Sequence, residues 1–90
     1  MSISIAVPTI LRPLTNGEKK VQAQGETVAD IIKHLDTQFP GVGERLVKDG
    51  QVHRFVNIYV NDNDIRFCEG LDTKTKPGDS LTVLPAVAGG

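Results

Sequence analysis

The chain closes with Gly89-Gly90, which follow a strand-like segment, Ser80 to Leu84, and a short exit, Pro85-Ala86-Val87-Ala88. Neither glycine has a Cβ, so the tail can take backbone angles closed to other residues and pass through a channel too narrow for side chains. The chemistry this suggests is attack of the Gly90 carboxylate on the α-phosphate of ATP. The resulting acyl adenylate could be displaced by a sulfur or nitrogen nucleophile. At a content of 9 glycines in 90 residues, a terminal pair arises by chance in about 1% of chains. The pair therefore gains its meaning from the domain that presents it. Used in this way, the chain is a carrier and not an enzyme.

No other constellation of residues competes for a catalytic role. His34 and His53 have no cysteine or carboxylate array at metal-ligand spacing and read as ordinary surface or edge histidines. Glu18, Glu26, Asp30 and Asp36 read as solvated or capping charges, with no carboxylate pair placed for acid/base work. Cys68 is the single cysteine, so no internal disulfide is available, which fits a reducing, cytoplasmic setting. Triad, Cys-His and phosphate-loop patterns are missing from the sequence. A net charge of -1 and 4% aromatic content without tryptophan lack the basic footprint and stacking platforms of nucleic-acid binders. Met1 to Pro8 has no basic n-region, and no apolar run approaches spanning length, so neither a signal peptide nor a membrane segment is expected.

Ninety residues make one domain with a modest core. Ile3, Ile5 and Val7 share one face of a first strand, and Glu18 to Gln24, with Val21 and Ala23 in phase, supplies a second. The connection between them holds two prolines and Asn16-Gly17, yet Ile10, Leu11 and Leu14 are too apolar for a solvated loop. They are expected to pack on the core or on a partner. Thr27 is placed to cap a helix on which Val28, Ile31, Ile32, Leu35 and Phe39 form one face, stopped by Pro40-Gly41. Val42 to Gln51 carries a weaker helical signal, centred on Glu44 to Val47.

In the second half, Val56, Ile58 and Val60 alternate with Phe55, Asn57 and Tyr59 in a central strand. Asn61 to Asp64 forms a turn into a short strand near Ile65 to Phe67, and Lys76-Pro77-Gly78-Asp79 turns into the last strand. A hairpin, one amphipathic helix and further strands predict an α+β fold, the β-grasp or ubiquitin-like roll, over residues 1–84. Its first and last strands would lie parallel at the centre, with residues 85–90 leaving as a flexible tail.

Three stretches carry a family resemblance. They are Pro8-Thr9-Ile10-Leu11-Arg12-Pro13, the run from His53-Arg54-Phe55 through Val60-Asn61-Asp62, and Gly78-Asp79-Ser80 through to Gly89-Gly90. The chain resembles the MoaD/ThiS-type sulfur carriers, and the first two stretches favour the branch that serves cysteine biosynthesis. The resemblance implies an E1-like adenylyltransferase and sulfurtransferase that uses ATP with Mg to activate Gly90, leaving a terminal thiocarboxylate. It further implies a cysteine synthase dependent on pyridoxal phosphate as acceptor, and a metal-dependent peptidase that releases the cysteine. No cofactor is then bound by this chain, and a free tail that moves between enzymes suits a monomer. The alternatives are a small subunit of molybdopterin synthase, a carrier for thiazole synthesis, or, in another class, a ubiquitin-like modifier or binding module.

The resemblance also assigns residues. Gly90 reacts, and Gly89 lets it be reached. Leu84 is an outward apolar position before the tail and, with Phe55 and Tyr59, would form a partner-binding patch on the sheet face away from the helix. Pro85 ends the last strand and stiffens the exit, while Ala86, Val87 and Ala88 are small enough for a tunnel. Arg12 and Arg54 are candidate charge contacts. Cys68 is expected to be passive, because a terminal thiocarboxylate needs no side-chain thiol.

Overall fold

Branched residues at every second position give the sheet its inner face. A computed structural model of the protein describes residues 2–85. In it β1 (Ile3–Ala6) pairs antiparallel with β2 (Lys20–Ala23), with Ile3 opposite Ala23 and Ile5 opposite Val21. All four of these side chains are buried. The main helix, α1 (Val28–Gln38), starts where the Thr27 side chain accepts the Asp30 N–H at 3.2 Å. Val28, Ile31, Ile32 and Leu35 recur at helical spacing and are buried against the sheet core. Its end is fixed by Asp36, whose Oδ1 accepts the N–H groups of Gly41 (3.1 Å) and Gly43 (2.9 Å) and so caps the short α2 (Val42–Leu46).

After α2 come β3 (Val47–Lys48) and β4 (Gln51–Val52), a two-stranded hairpin that the sequence reading passed over. Its turn residues Asp49 and Gly50 have φ of 54° and 77°, the two positive angles that a tight hairpin turn demands. The helix ahead of it also begins two residues earlier than expected, because the Asp36 cap sets its start.

The remaining strands are β5 (Val56–Val60), β6 (Asn63–Asp64) and β7 (Ser80–Pro85). They complete a five-stranded sheet ordered β2-β1-β7-β5-β6, with β1 and β7 parallel and every other pair antiparallel. This is the ubiquitin-like β-grasp topology expected from the sequence, with β7 at the centre and β5 beside it. Ile5, Ile58, Leu81 and Val83 meet α1 in one buried cluster.

Two local expectations are corrected. The short strand after the Asn61 turn is Asn63–Asp64, and Ile65–Phe67 is a 3₁₀ helix. There the Asp64 carboxylate takes the Arg66 N–H at 2.9 Å and the Ile65 carbonyl takes the Cys68 N–H at 3.0 Å, which closes the backbone on itself. Ile65 is buried, whereas Phe67 is 89% exposed, so no sheet face rewards the alternation. Pro85 belongs to β7, opposite Val56, and does not lie past its end.

Candidate functional site

The exit of β7 is where the site is built. Alternation along the strand turns Leu81 and Val83 inward, at 1% and 2% exposure, and turns Leu84 outward at 46%. Across β5, Leu84 stands opposite Asn57 and Thr82 opposite Tyr59. Tyr59, Thr82 and Leu84 line one shallow depression of about 210 Å³ on the sheet face away from α1. The structure thus brings Tyr59 and Leu84 together. Phe55 stands one residue ahead of the Val56–Pro85 pair and is 47% exposed. Its ring lies 5.1 Å from that of His53, and the Arg54 guanidinium sits 5.0 Å from its centroid. That stacking holds Arg54 at the β5 side of the exit.

On the β1 side the chain leaves the sheet at Pro8 and winds into a 3₁₀ helix, Thr9–Thr15. Thr15 is fully buried, and its hydroxyl is shared between the carbonyls of Arg12 (3.3 Å) and Glu18 (3.0 Å). Arg12 donates from Nε to the Val7 carbonyl at 3.2 Å. The result is a groove of about 390 Å³ in which Arg12, Ile10 and Lys19 face Leu84 and Pro85. Of the three apolar residues in this connection, Leu11 packs into the core, Leu14 packs against it half-buried, and Ile10 remains 61% exposed.

Ala86, Val87, Ala88, Gly89 and Gly90, the residues on which the terminal chemistry was placed, lie outside the described residues. The other titratable residues stay in local roles. His34 Nδ1 accepts the Gln24 N–H at 2.7 Å, His53 Nδ1 accepts the Phe55 N–H at 3.2 Å, and Cys68 is exposed, its Sγ 3.5 Å from the Asp64 carbonyl. Among the described residues, no cluster of three or more His, Cys, Asp or Glu side chains could hold a metal ion, and no helix is long and apolar enough to cross a membrane. A hollow of about 500 Å³ between α1, α2 and Leu71 shares none of its described lining with the exit.

Two residues at the exit escaped the sequence reading. Lys19 reaches the groove because its carbonyl accepts the Val7 N–H at 2.9 Å, a long-range pairing that no local pattern announces. Asn57 fits the alternation of β5, but its Oδ1 is shielded from solvent without a hydrogen-bond partner among the described residues.

The topology and the exposed end of β7 define a β-grasp protein that presents its last described strand from the middle of the sheet. Residues 5–90 match the model of the ThiS family, and the chain belongs to that family. It is 52% identical over 93 residues to the sulfur carrier protein CysO of Mycobacterium tuberculosis, covering 100% of both chains. A putative sulfur carrier protein of Archaeoglobus fulgidus is 34% identical over 92 residues, again across the whole of both chains. Among solved structures, the crystal structure of the Amycolatopsis orientalis BexX/CysO complex matches with a TM-score of 0.93 at 52% identity, over 98% of this chain and 99% of that one.

Proposed function

We propose that this chain is a sulfur carrier whose Gly90 carboxylate is activated and converted to a thiocarboxylate for cysteine biosynthesis. The observation that carries the reading is the course of β7. It runs from the centre of the sheet to an exposed Leu84 and Pro85, immediately ahead of Ala86-Val87-Ala88-Gly89-Gly90. The full-length likeness to sulfur carriers supports it.

In the first step a Gly90 carboxylate oxygen bonds to the α-phosphorus of ATP on an E1-like partner, with Mg bound there, and pyrophosphate leaves. Hydrosulfide delivered by a sulfur donor then attacks the acyl carbon, AMP leaves, and the terminus carries sulfur in place of one oxygen. The product is an anionic nucleophile at neutral pH, which suits transfer to a carbon electrophile on an acceptor enzyme that binds pyridoxal phosphate. An S-to-N acyl shift then leaves cysteine amide-linked to Gly90, and a metal-dependent peptidase releases it.

This chain's own residues dock and aim. Leu84 and Tyr59 offer apolar contact, Arg12 and Arg54 flank the exit, and Pro85 restricts the backbone where the tail begins. A protein lacking Gly90, assayed for ATP–pyrophosphate exchange with the organism's adenylyltransferase, should lose exchange while keeping its thermal melting profile. Exchange at the normal rate would overturn the reading.

A further inference from the structure

The groove beside the exit has a charge of one sign and an unfinished edge. Its described lining includes two cations, Arg12 and Lys19, and no carboxylate. It also brings together Ile10 and Leu84, two of the large apolar side chains that remain exposed. β1 keeps register with β7 only from Ser4–Ser80 to Ala6–Thr82, whereas β5 stays paired as far as Val56–Pro85. Among the described residues, β7 from Val83 onward therefore has a strand neighbour on its β5 side alone, and the groove lies on the other side.

We propose that this groove receives an acidic segment of the adenylating enzyme, with one apolar side chain gripped between Ile10 and Leu84 and carboxylates facing Arg12 and Lys19. The proposal rests on the reading of Gly90 as the activated terminus. Charge complementarity selects the occupant: an apolar anchor alone would suit many surfaces, but two cations with no carboxylate in the described lining favour an anionic partner. Arg12 is suited to the task because the Val7 carbonyl fixes its Nε, so less side-chain freedom is lost when its remaining donors bind. A segment seated here would lie along the last residues of β7 and hold the strand that aims the tail. Docking and aiming then become one event.

The test is ATP–pyrophosphate exchange by the organism's adenylyltransferase with the full chain, with Lys19→Glu and Ile10→Asp, and with the protein lacking Gly90. Lys19 and Ile10 are both exposed, so both variants should fold. Each is expected to raise the KM for the carrier about 10-fold at low salt with little change in kcat, and Lys19→Glu should flatten the rise of KM with salt seen for the unaltered chain. Unchanged KM in both variants, with exchange still lost on removal of Gly90, would overturn the groove and leave the carrier reading standing. Exchange retained without Gly90 would remove both. Amide NMR spectra of the carrier alone separate the other occupants. Shifts at Arg12 and Lys19 on removal of Gly90 would mean that the chain's own tail fills the groove, and shifts that depend on concentration would mean a second copy; either overturns the proposal.

Discussion

Leu84 and Asn57 face each other across the central strand pair, one an exposed apolar side chain and the other an amide whose Oδ1 is shielded and has no hydrogen-bond partner among the described residues. A sheet designed for stability alone would place a β-branched residue opposite Leu84. The orphaned acceptor costs about 1 to 3 kcal/mol. Asn57→Val should therefore raise stability by about 1 kcal/mol, which in a domain of this size moves Tm upward by about 4 to 8 °C. A thermal melt with an unchanged or lower Tm would contradict this account of Asn57.

Leu84 is expected to serve partners more than the fold. Leu84→Asp should alter stability by no more than about 0.5 kcal/mol, as for other exposed positions. It should weaken binding to the adenylyltransferase by about 10-fold or more, equivalent to about 1.4 kcal/mol. Calorimetric titration checks the affinity and urea unfolding checks the fold. Full affinity in the variant would remove Leu84 from the docking surface.

Thr15 holds the 3₁₀ segment that carries Ile10 and Arg12. Thr15→Val keeps the volume but leaves the Arg12 and Glu18 carbonyls without its hydroxyl, at a cost of about 1 to 3 kcal/mol. Urea unfolding should show that loss. Faster amide hydrogen exchange should appear first in residues 9 to 18, and uniform exchange rates there would contradict the role given to Thr15.

Gly25 allows the connection from β2 to α1 to pass close to the first turn of the helix. A Cβ at this position would come within 2.6 Å of the Ile31 backbone nitrogen and 2.9 Å of the Asp30 carbonyl carbon, and neither can swing aside. Gly25→Ala should cost about 1 to 3 kcal/mol by forcing the helix off the sheet. A melting temperature equal to that of the unaltered protein would show that the approach is looser than described.

The parts of this fold that were legible in the sequence are those decided by near neighbours. Thr27 sits three residues before the N–H that it accepts, and Val56, Ile58 and Val60 need only the period of a strand to reach the core. The Asp49-Gly50 turn was equally local, and its hairpin was overlooked because a helical signal ran across it. Ile65 to Phe67 imitates a strand by alternation, but the Asp64 side chain and the Ile65 carbonyl make a better local bargain. Leu84 could be placed outward by counting. The facing of Lys19 and Arg12 toward Leu84, and the shielding of the Asn57 Oδ1, depend on which strands become neighbours, and no window of sequence contains that information.

The central claim is that Gly90 carries sulfur. Its most direct test is the intact mass of the protein isolated from its own cells during cysteine demand, with fragmentation to locate any change. The account predicts a terminal oxygen replaced by sulfur at Gly90, and in part of the sample a cysteine joined to it. A population holding only an unmodified carboxylate, or Gly90 joined only to lysine side chains of other proteins, would contradict it.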